Sequence, residues 1–153
     1  MSTLTAPPAP GPAPALTPTA LRLGYAGLLP FVAGAMLVWL VRPDARPYTL
    51  LALSAYAAVI VSFLGGIHWG LALRLPEPPP VLLGWGVVPS LVAWLAVMMP
   101  ASSGLVVLGA MLLACYAVDR RLYPVYGAAH WLTLRFRLSA VAAASCFIGA
   151  AGT

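Results

Sequence analysis

The stretch from Tyr48 to Leu73 reads YTLLALSAYAAVIVSFLGGIHWGLAL and contains no Asp, Glu, Lys or Arg. A helix that crosses a membrane needs about 20 mostly apolar residues, because each residue adds about 1.5 Å across a hydrocarbon layer about 30 Å thick. This run is longer than that and should cross at a tilt. Backbone N–H and C=O groups in lipid must pair within their own segment, so the run is predicted to be a helix and not a strand.

Four further apolar runs flank this one, and together they define the fold class. We predict an all-α integral membrane protein with five transmembrane helices in one bundle and the second helix at its centre. The composition agrees, because 62% of the 153 residues are hydrophobic and only 7% are charged, against about 25% charged in soluble domains. No soluble catalytic domain is expected. The predicted spans are about 21–41, 48–73, 81–99, 102–118 and 131–151.

The first 20 residues, MSTLTAPPAPGPAPALTPTA, differ in composition from the rest of the chain. They are rich in Pro and Ala and contain no charged side chain, so they cannot bury enough apolar surface to offset the entropy of ordering. We therefore predict a disordered tail over residues 1–20 and a transmembrane domain over 21–151. The tail also lacks the basic segment and apolar core of a signal peptide.

The net charge of +5 comes from eight arginines, which lie near the ends of the apolar runs. Such arginines bind lipid phosphates and set topology, so membrane lipids are expected as partners and nucleic acid is not. Only Arg42 and Arg46 lie on one predicted side. The positive-inside rule then predicts an N-terminus in the cytoplasm and a C-terminus outside. The arginines of the cytoplasmic side are Arg22, Arg74, Arg120, Arg121, Arg135 and Arg137.

Small residues recur at every fourth position of the second helix and therefore share one face. Small residues let membrane helices approach closely, so this face is predicted to be a helix-packing seam. The seam would serve either packing within one bundle or contact between two bundles, so helices of other membrane proteins are further candidate partners. Its members are Ser54, Ala58, Ser62, Gly66 and Gly70.

Polar and aromatic side chains gather at the predicted cytoplasmic ends of the helices. They form either an aromatic belt with arginine anchors or a basic, aromatic pocket for an anionic lipid headgroup or a quinone-like ring. His68 is accordingly either a hydrogen-bonded packing residue or a ligand-binding or proton-handling one. Arg135 should either snorkel to the interface or pair with Asp119. The candidate ligand-binding residues are Tyr25, His68, Trp69, Arg74, Trp85, Asp119, Arg120, Arg121, Arg135 and Arg137.

No metal or cofactor is expected. Haem ligation would require His68 and His130 to converge, and His130 is typical of a loop or interfacial residue. The two cysteines, Cys115 and Cys146, lie within apolar runs and are interpreted as packing thiols.

The sequence offers few residues for enzymatic catalysis, because it contains no nucleophile motif, carboxylate pair, phosphate loop or HExxH metal-binding motif. The leading hypothesis is a non-enzymatic membrane binding or assembly factor. The alternative is a small-molecule transporter built on a duplicated helical hairpin, since Gly27–Pro30 echoes Gly86–Pro89. A third hypothesis is a lipid-modifying enzyme centred on His68 and Asp119.

Several motifs resemble one family of small membrane proteins. LGYAGLLPF at 23–31, FLGGIHWG at 63–70 and PSLVAW at 89–94 resemble the family known as domain of unknown function 3429, as do DRR at 119–121 and LRFRL at 134–138. The resemblance covers about residues 21–150. It implies a multi-pass inner-membrane protein of bacteria with mitochondrial relatives, and it supplies no activity, cofactor or catalytic residue.

Overall fold

The computed structural model describes residues 15–152, and within them every regular element is helical. Five helical stretches are long and apolar enough to cross a membrane, which confirms the predicted number. The first stretch consists of two helices and the last begins with a turn of 3₁₀ helix. The elements are α1 (Pro18–Ala26), α2 (Leu29–Leu40), α3 (Arg46–Ala72), α4 (Pro80–Val97), α5 (Ala101–Leu122), the 3₁₀ turn Ala129–Trp131 and α6 (Leu132–Ala151).

The start of α1 corrects the predicted boundary of the N-terminal tail. The side-chain oxygen of Thr17 accepts a hydrogen bond from the backbone N–H of Ala20, and Pro18 occupies the first helical position. A threonine cap followed by proline is a common start of a helix. Residues 18–20 therefore belong to the folded domain. The predicted disorder of residues 1–14 concerns residues outside the described part of the chain.

The first predicted span contains a break between α1 and α2. Pro30 lies in the first turn of α2 and has no N–H to donate to the carbonyl of Ala26. The hydroxyl of Tyr56 in α3 donates a hydrogen bond of 2.9 Å to the carbonyl of Gly27 at this break. The second proline singled out in a span, Pro89, lies within α4 without interrupting it.

Helix α3 lies at the centre of the bundle, as predicted, and contacts α2, α4, α5 and α6. Its closest neighbour is α4, because glycines face each other there. A Cβ atom added to Gly65 would lie 2.5 Å from the carbonyl oxygen of Gly86, and one added to Gly86 would overlap the ring of Trp69. The two backbones therefore touch without intervening side chains.

The predicted packing seam of α3 is only partly used within the chain. Ser54 is buried, whereas Gly66 and Gly70 are exposed and a Cβ on either would meet nothing within 4 Å. The packed face is the neighbouring one, which carries Ala57, Val61, Gly65, His68 and Ala72. Within the bundle, the predicted seam is therefore not a packing surface at Gly66 and Gly70, because α4 contacts α3 at Gly65 instead. Contact between two bundles stays a prediction.

Candidate functional site

Three helices bring one histidine, one aspartate and one arginine into contact inside the bundle. His68 of α3, Asp119 of α5 and Arg135 of α6 are 0%, 1% and 7% exposed. Arg135 donates to Oδ2 of Asp119 from Nε at 2.8 Å and from Nη2 at 2.6 Å. Nε2 of His68 lies 3.3 Å from Oδ1 of the same carboxylate. We call these three residues the polar cluster.

The cluster settles which of two roles Arg135 adopts. It pairs with Asp119 instead of snorkelling, because an ion buried in a low-dielectric interior requires a partner. Helix α5 runs to Leu122, past the predicted end of its span at residue 118, and so places Asp119 on its last turn facing the bundle interior. Two arginines of that turn, Arg120 and Arg121, stay exposed.

The imidazole of His68 has oxygen atoms on both sides. Its Nδ1 lies 3.3 Å from the carbonyl oxygen of Leu64, one helical turn earlier. Among the described residues, Nε2 of His68 and Oδ1 of Asp119 have no hydrogen bond of good geometry, although they lie at contact distance. The ring centroid of Tyr123 lies 6.3 Å from that of His68.

Tyr123 follows the last turn of α5 and closes the cluster on its aqueous side. Burial, and secondarily the charge of Asp119, raise the pKa of the Tyr123 phenol to about 12, while Arg135 opposes this shift. The hydroxyl therefore stays neutral at physiological pH. It is available as a hydrogen-bond donor next to Arg135.

A cavity of about 730 Å³ lies beside the polar cluster, between α1, α3, α6 and the α5–α6 loop. Its walls are mostly apolar and include Leu23 and Ile67. Polar and aromatic side chains lie at one end, where α3 ends and α6 begins. These are Arg74, Tyr123, Tyr126, His130, Trp131 and Arg135.

A smaller cavity of about 170 Å³ adjoins the large one and lies nearer the middle of the bundle. It is lined mostly by apolar residues, including Phe31 of α2, Ile60 of α3 and Ala142 of α6. We call the two cavities together the α1 fissure. Helix α1 has no buried residue, and its main contacts are with α6. Both cavities are lined by Leu23, Gly24, Phe63, Arg135 and Leu138.

The predicted site residues divide into separate groups. His68, Asp119 and Arg135 form the polar cluster, and Arg74 lines the α1 fissure. Trp69 instead donates from its indole N–H to the carbonyl of Leu83, at 3.2 Å. The other six residues line neither cavity. The ten residues therefore do not share one pocket, which differs from the pocket hypothesis of the sequence analysis. These are Tyr25, Trp69, Trp85, Arg120, Arg121 and Arg137.

Arg137 lies on the outer surface of α6 and donates a hydrogen bond of 3.1 Å to the hydroxyl of Tyr25. Trp85 is half-buried against the core on α4. Sequence reasoning did not select Tyr126 and Trp131, which line the fissure. Their signal was the run of aromatic residues that follows DRR in the loop, where Gly127 adopts a φ of 73°, a backbone conformation that favours glycine.

The two histidines lie in different surroundings. His68 contacts Asp119 and Tyr123, whereas the ring of His130 lies 5.9 Å from that of Trp131. In the part of the chain that the structure describes, no three His, Cys, Asp or Glu residues are grouped as metal ligands would be. The thiols of Cys115 and Cys146 are both free and buried.

Comparison with known proteins places the chain among membrane proteins. The family described as Protein of unknown function (DUF3429) matches residues 16–151. Transmembrane protein 69 of Xenopus tropicalis is 39% identical over 116 residues, which cover 70% of this chain and 44% of that relative. The chain thus spans less than half the length of this relative. No solved structure matches the chain.

Proposed function

We propose a function for this chain, which belongs to the DUF3429 family and is a multi-pass membrane protein. The chain binds an anionic lipid in the α1 fissure and does not convert that lipid chemically. The phosphate of the headgroup would lie at the end that contains Arg74, and an acyl chain would extend along Phe63 and Leu138 towards Phe31.

The observation that carries this proposal is that a cavity with a charged end and a mostly apolar cavity share five lining residues. The large cavity contains the arginine and aromatic side chains, and the small cavity beside it has mostly apolar walls. A ligand that fits both cavities is an amphiphile. A fully polar molecule would bury polar groups against the apolar walls of the small cavity, where they would have no hydrogen-bond partners. Exposed Leu23 and Phe63 give an acyl chain access from the bilayer.

The charge at the fissure favours an anionic headgroup over a neutral quinone ring. Arg135 is neutralised by Asp119, because two of its N–H groups donate to Oδ2 of that carboxylate. The guanidinium of Arg74 is exposed, and within residues 15–152 it has no side-chain partner. A phosphate would accept hydrogen bonds from this guanidinium and from the phenol of Tyr126. A quinone would use only the hydrogen-bond donors and leave the cation unpaired.

The distribution of arginines supports an orientation for the fissure. Six of the eight arginines, including Arg74, lie on the side of the N-terminus, the α3–α4 loop and the α5–α6 loop. By the positive-inside rule that side is cytoplasmic, in the inner membrane of a bacterium. The charged end of the fissure would then open to the cytoplasmic leaflet, where anionic lipids are attracted to basic residues.

The experiment is mass spectrometry of the protein extracted with its surrounding lipid in polymer discs. Arg74→Gln is compared with Arg121→Gln, because both arginines are exposed at the same end and only Arg74 lines the fissure. We expect wild type and Arg121→Gln to retain one anionic lipid at near-stoichiometric level, and Arg74→Gln to bind it about tenfold more weakly, equivalent to about 1.4 kcal/mol, so that about half of it or less is retained. Equal retention in both variants would contradict the proposal, and retention of a quinone would replace the proposed ligand.

A further inference from the structure

The imidazole of His68 faces two oxygen acceptors in a site closed to water. The carbonyl oxygen of Leu64 lies 3.3 Å from Nδ1, and Oδ1 of Asp119 lies 3.3 Å from Nε2. A neutral imidazole has one N–H and can donate to only one of them. The carbonyl oxygen of Leu64 can only accept, so its hydrogen bond with Nδ1 places the hydrogen on Nδ1, and the neutral ring leaves Nε2 bare against Oδ1 of Asp119.

One additional proton would satisfy both sides of the ring. Either His68 becomes an imidazolium that donates in both directions, or Asp119 is protonated and donates to Nε2 while Nδ1–H donates to Leu64. In both forms the added proton lies between Nε2 of His68 and Oδ1 of Asp119. The polar cluster then changes from a net charge of zero to a net charge of +1, because Arg135 is cationic in every form.

The charged and titratable groups around His68 within residues 15–152 belong to α5 and α6. Asp119 faces it from α5, Tyr123 from the end of α5, and Arg135 from α6. Helices α2 and α4 contain no titratable side chain. The Tyr25 phenol of α1 is directed to Arg137, and Arg22 of α1 is exposed. The other carboxylates in this part of the chain, Asp44 and Glu77, are exposed, so an anion bound in the fissure is the group that would balance a positive charge on the cluster.

Arg135 connects the cluster to the α1 fissure, because it contacts Asp119 and also lines both cavities. We propose that binding of an anionic lipid in the fissure is coupled to uptake of one proton, from the aqueous phase, by the His68–Asp119 pair. This inference rests on the proposed function and extends it. A negative headgroup lowers the free energy of the protonated cluster by Coulomb attraction. By reciprocity, protonation strengthens binding of the anion.

The sign of the pH dependence follows directly. Anionic lipid should bind more tightly as the pH falls, and a zwitterionic lipid of the same chain length should not. Couplings between sites commonly change affinity about 5- to 150-fold. We therefore expect phosphatidylglycerol to bind at least about fivefold more tightly at about pH 6 than at about pH 8, with phosphatidylcholine unchanged.

The full chain is titrated with each lipid at both pH values, and the same is done with His68→Gln and His130→Asn. His130 is the control, because it lines the fissure but lies outside the polar cluster. His130→Asn should keep the pH dependence and His68→Gln should lose it. If wild type binds phosphatidylglycerol preferentially but equally at both pH values, the coupling is wrong and the proposed function stands. If it shows no preference for phosphatidylglycerol at either pH, both are wrong.

A second measurement does not depend on folding of a His68 variant. The chain has two histidines, so ring-¹⁵N-labelled His130→Asn protein reports on His68 alone. We expect Nε2 of His68 to be bare at about pH 8 in phosphatidylcholine, and its ¹⁵N chemical shift to report a gained proton or hydrogen bond when phosphatidylglycerol is added. An Nε2 chemical shift that is unchanged by lipid and pH would overturn the inference.

Discussion

The two sides of α3 pack differently against their neighbouring helices. Towards α4, Gly65 meets Gly86 and the backbones touch. Towards α1, the larger Phe63, Ile67 and Leu71 line the α1 fissure. Glycines on both helices at the same level thus allow the backbones to touch, whereas large side chains of α3 lie beside a cavity. One side of the helix is a fixed support, and the other is a site with room for a ligand.

The wall of the fissure opposite α1 is held by the polar cluster, and breaking it should have the largest effect. Asp119→Ala leaves Arg135 and His68 buried without their common partner. Loss of one partner of a buried ion pair costs about 3–5 kcal/mol of the free energy of unfolding. The measurement is reversible unfolding in mixed micelles, followed by helix content.

The control for this variant is Asp44→Ala, which removes an ion pair of Asp44 with Arg42 whose side chains are 72% and 86% exposed. Such exposed pairs contribute about 0–1 kcal/mol. The double variant Asp119→Ala/Arg135→Met should recover much of the lost stability, because no unpaired arginine remains. Equal losses for Asp119→Ala and Asp44→Ala would show that the cluster does not support the wall.

The tight side of α3 is tested by two adjacent glycines. Gly65→Ala would place a Cβ 2.5 Å from the carbonyl oxygen of Gly86, so α3 and α4 must separate. Overpacking of this kind costs about 1–3 kcal/mol. Gly66→Ala meets nothing within 4 Å and should be neutral, or more stable by up to about 1 kcal/mol through helix propensity.

Both glycine variants are measured by the same unfolding assay. If Gly66→Ala destabilised as much as Gly65→Ala, α4 would not be the helix that determines which face is packed. A loss for Gly66→Ala that appears only at high protein-to-detergent ratio would instead indicate contact between two copies. That outcome would favour the second of the two roles predicted for the small-residue seam.

The loose side of α3 is tested by filling the fissure. Leu71→Trp adds a large ring to a wall of the large cavity, whereas Leu73 is 82% exposed and lines neither cavity. We expect Leu71→Trp to lower lipid retention about tenfold, equivalent to about 1.4 kcal/mol, with unfolding unchanged. Leu73→Trp should behave as wild type. Equal lipid retention in the two variants, measured by mass spectrometry, would place the lipid elsewhere.

The sequence was sufficient to predict the features that depend on a single segment. Length and hydropathy gave the five spans, and the small residues on both faces of the second span correctly placed that helix at the centre. Pairing of Arg135 with Asp119 was one of the two roles predicted for this arginine, and the structure contains that pair. The pair was predictable because a buried charge needs a partner wherever the fold places it.

Features that depend on two segments at once were not predictable. Both faces of α3 are small, so only the position of Gly86 on α4 decides that Gly65 is buried and Gly66 is not. The candidate pocket residues were chosen by their depth in the membrane, because one segment alone does not show which of its faces a neighbouring helix covers. Depth does not distinguish Arg74, which lines the fissure, from Arg121, which faces outward.

The smallest effect is expected at the break between α1 and α2, which lets α1 stand away from α3. Tyr56→Phe removes the hydroxyl that donates to the carbonyl of Gly27 and keeps the ring, which packs on Phe31 at 5.1 Å. Loss of one hydrogen bond costs about 0.5–1.5 kcal/mol. Because Pro30 cannot donate to Ala26, this bond is the side-chain contact that fixes the angle between the two helices.

We therefore expect faster amide hydrogen exchange across the break at residues 26–32 in Tyr56→Phe, and little change in global unfolding. Tyr116→Phe is the matched control, because its ring packs on Phe136 at 5.4 Å and, within the described residues, its hydroxyl makes no hydrogen bond. If both variants exchanged as wild type, Pro30 alone would define the break. If Tyr56→Phe also released lipid, the angle of α1 would determine the width of the fissure, and the loose side of α3 would be held open by this one hydrogen bond.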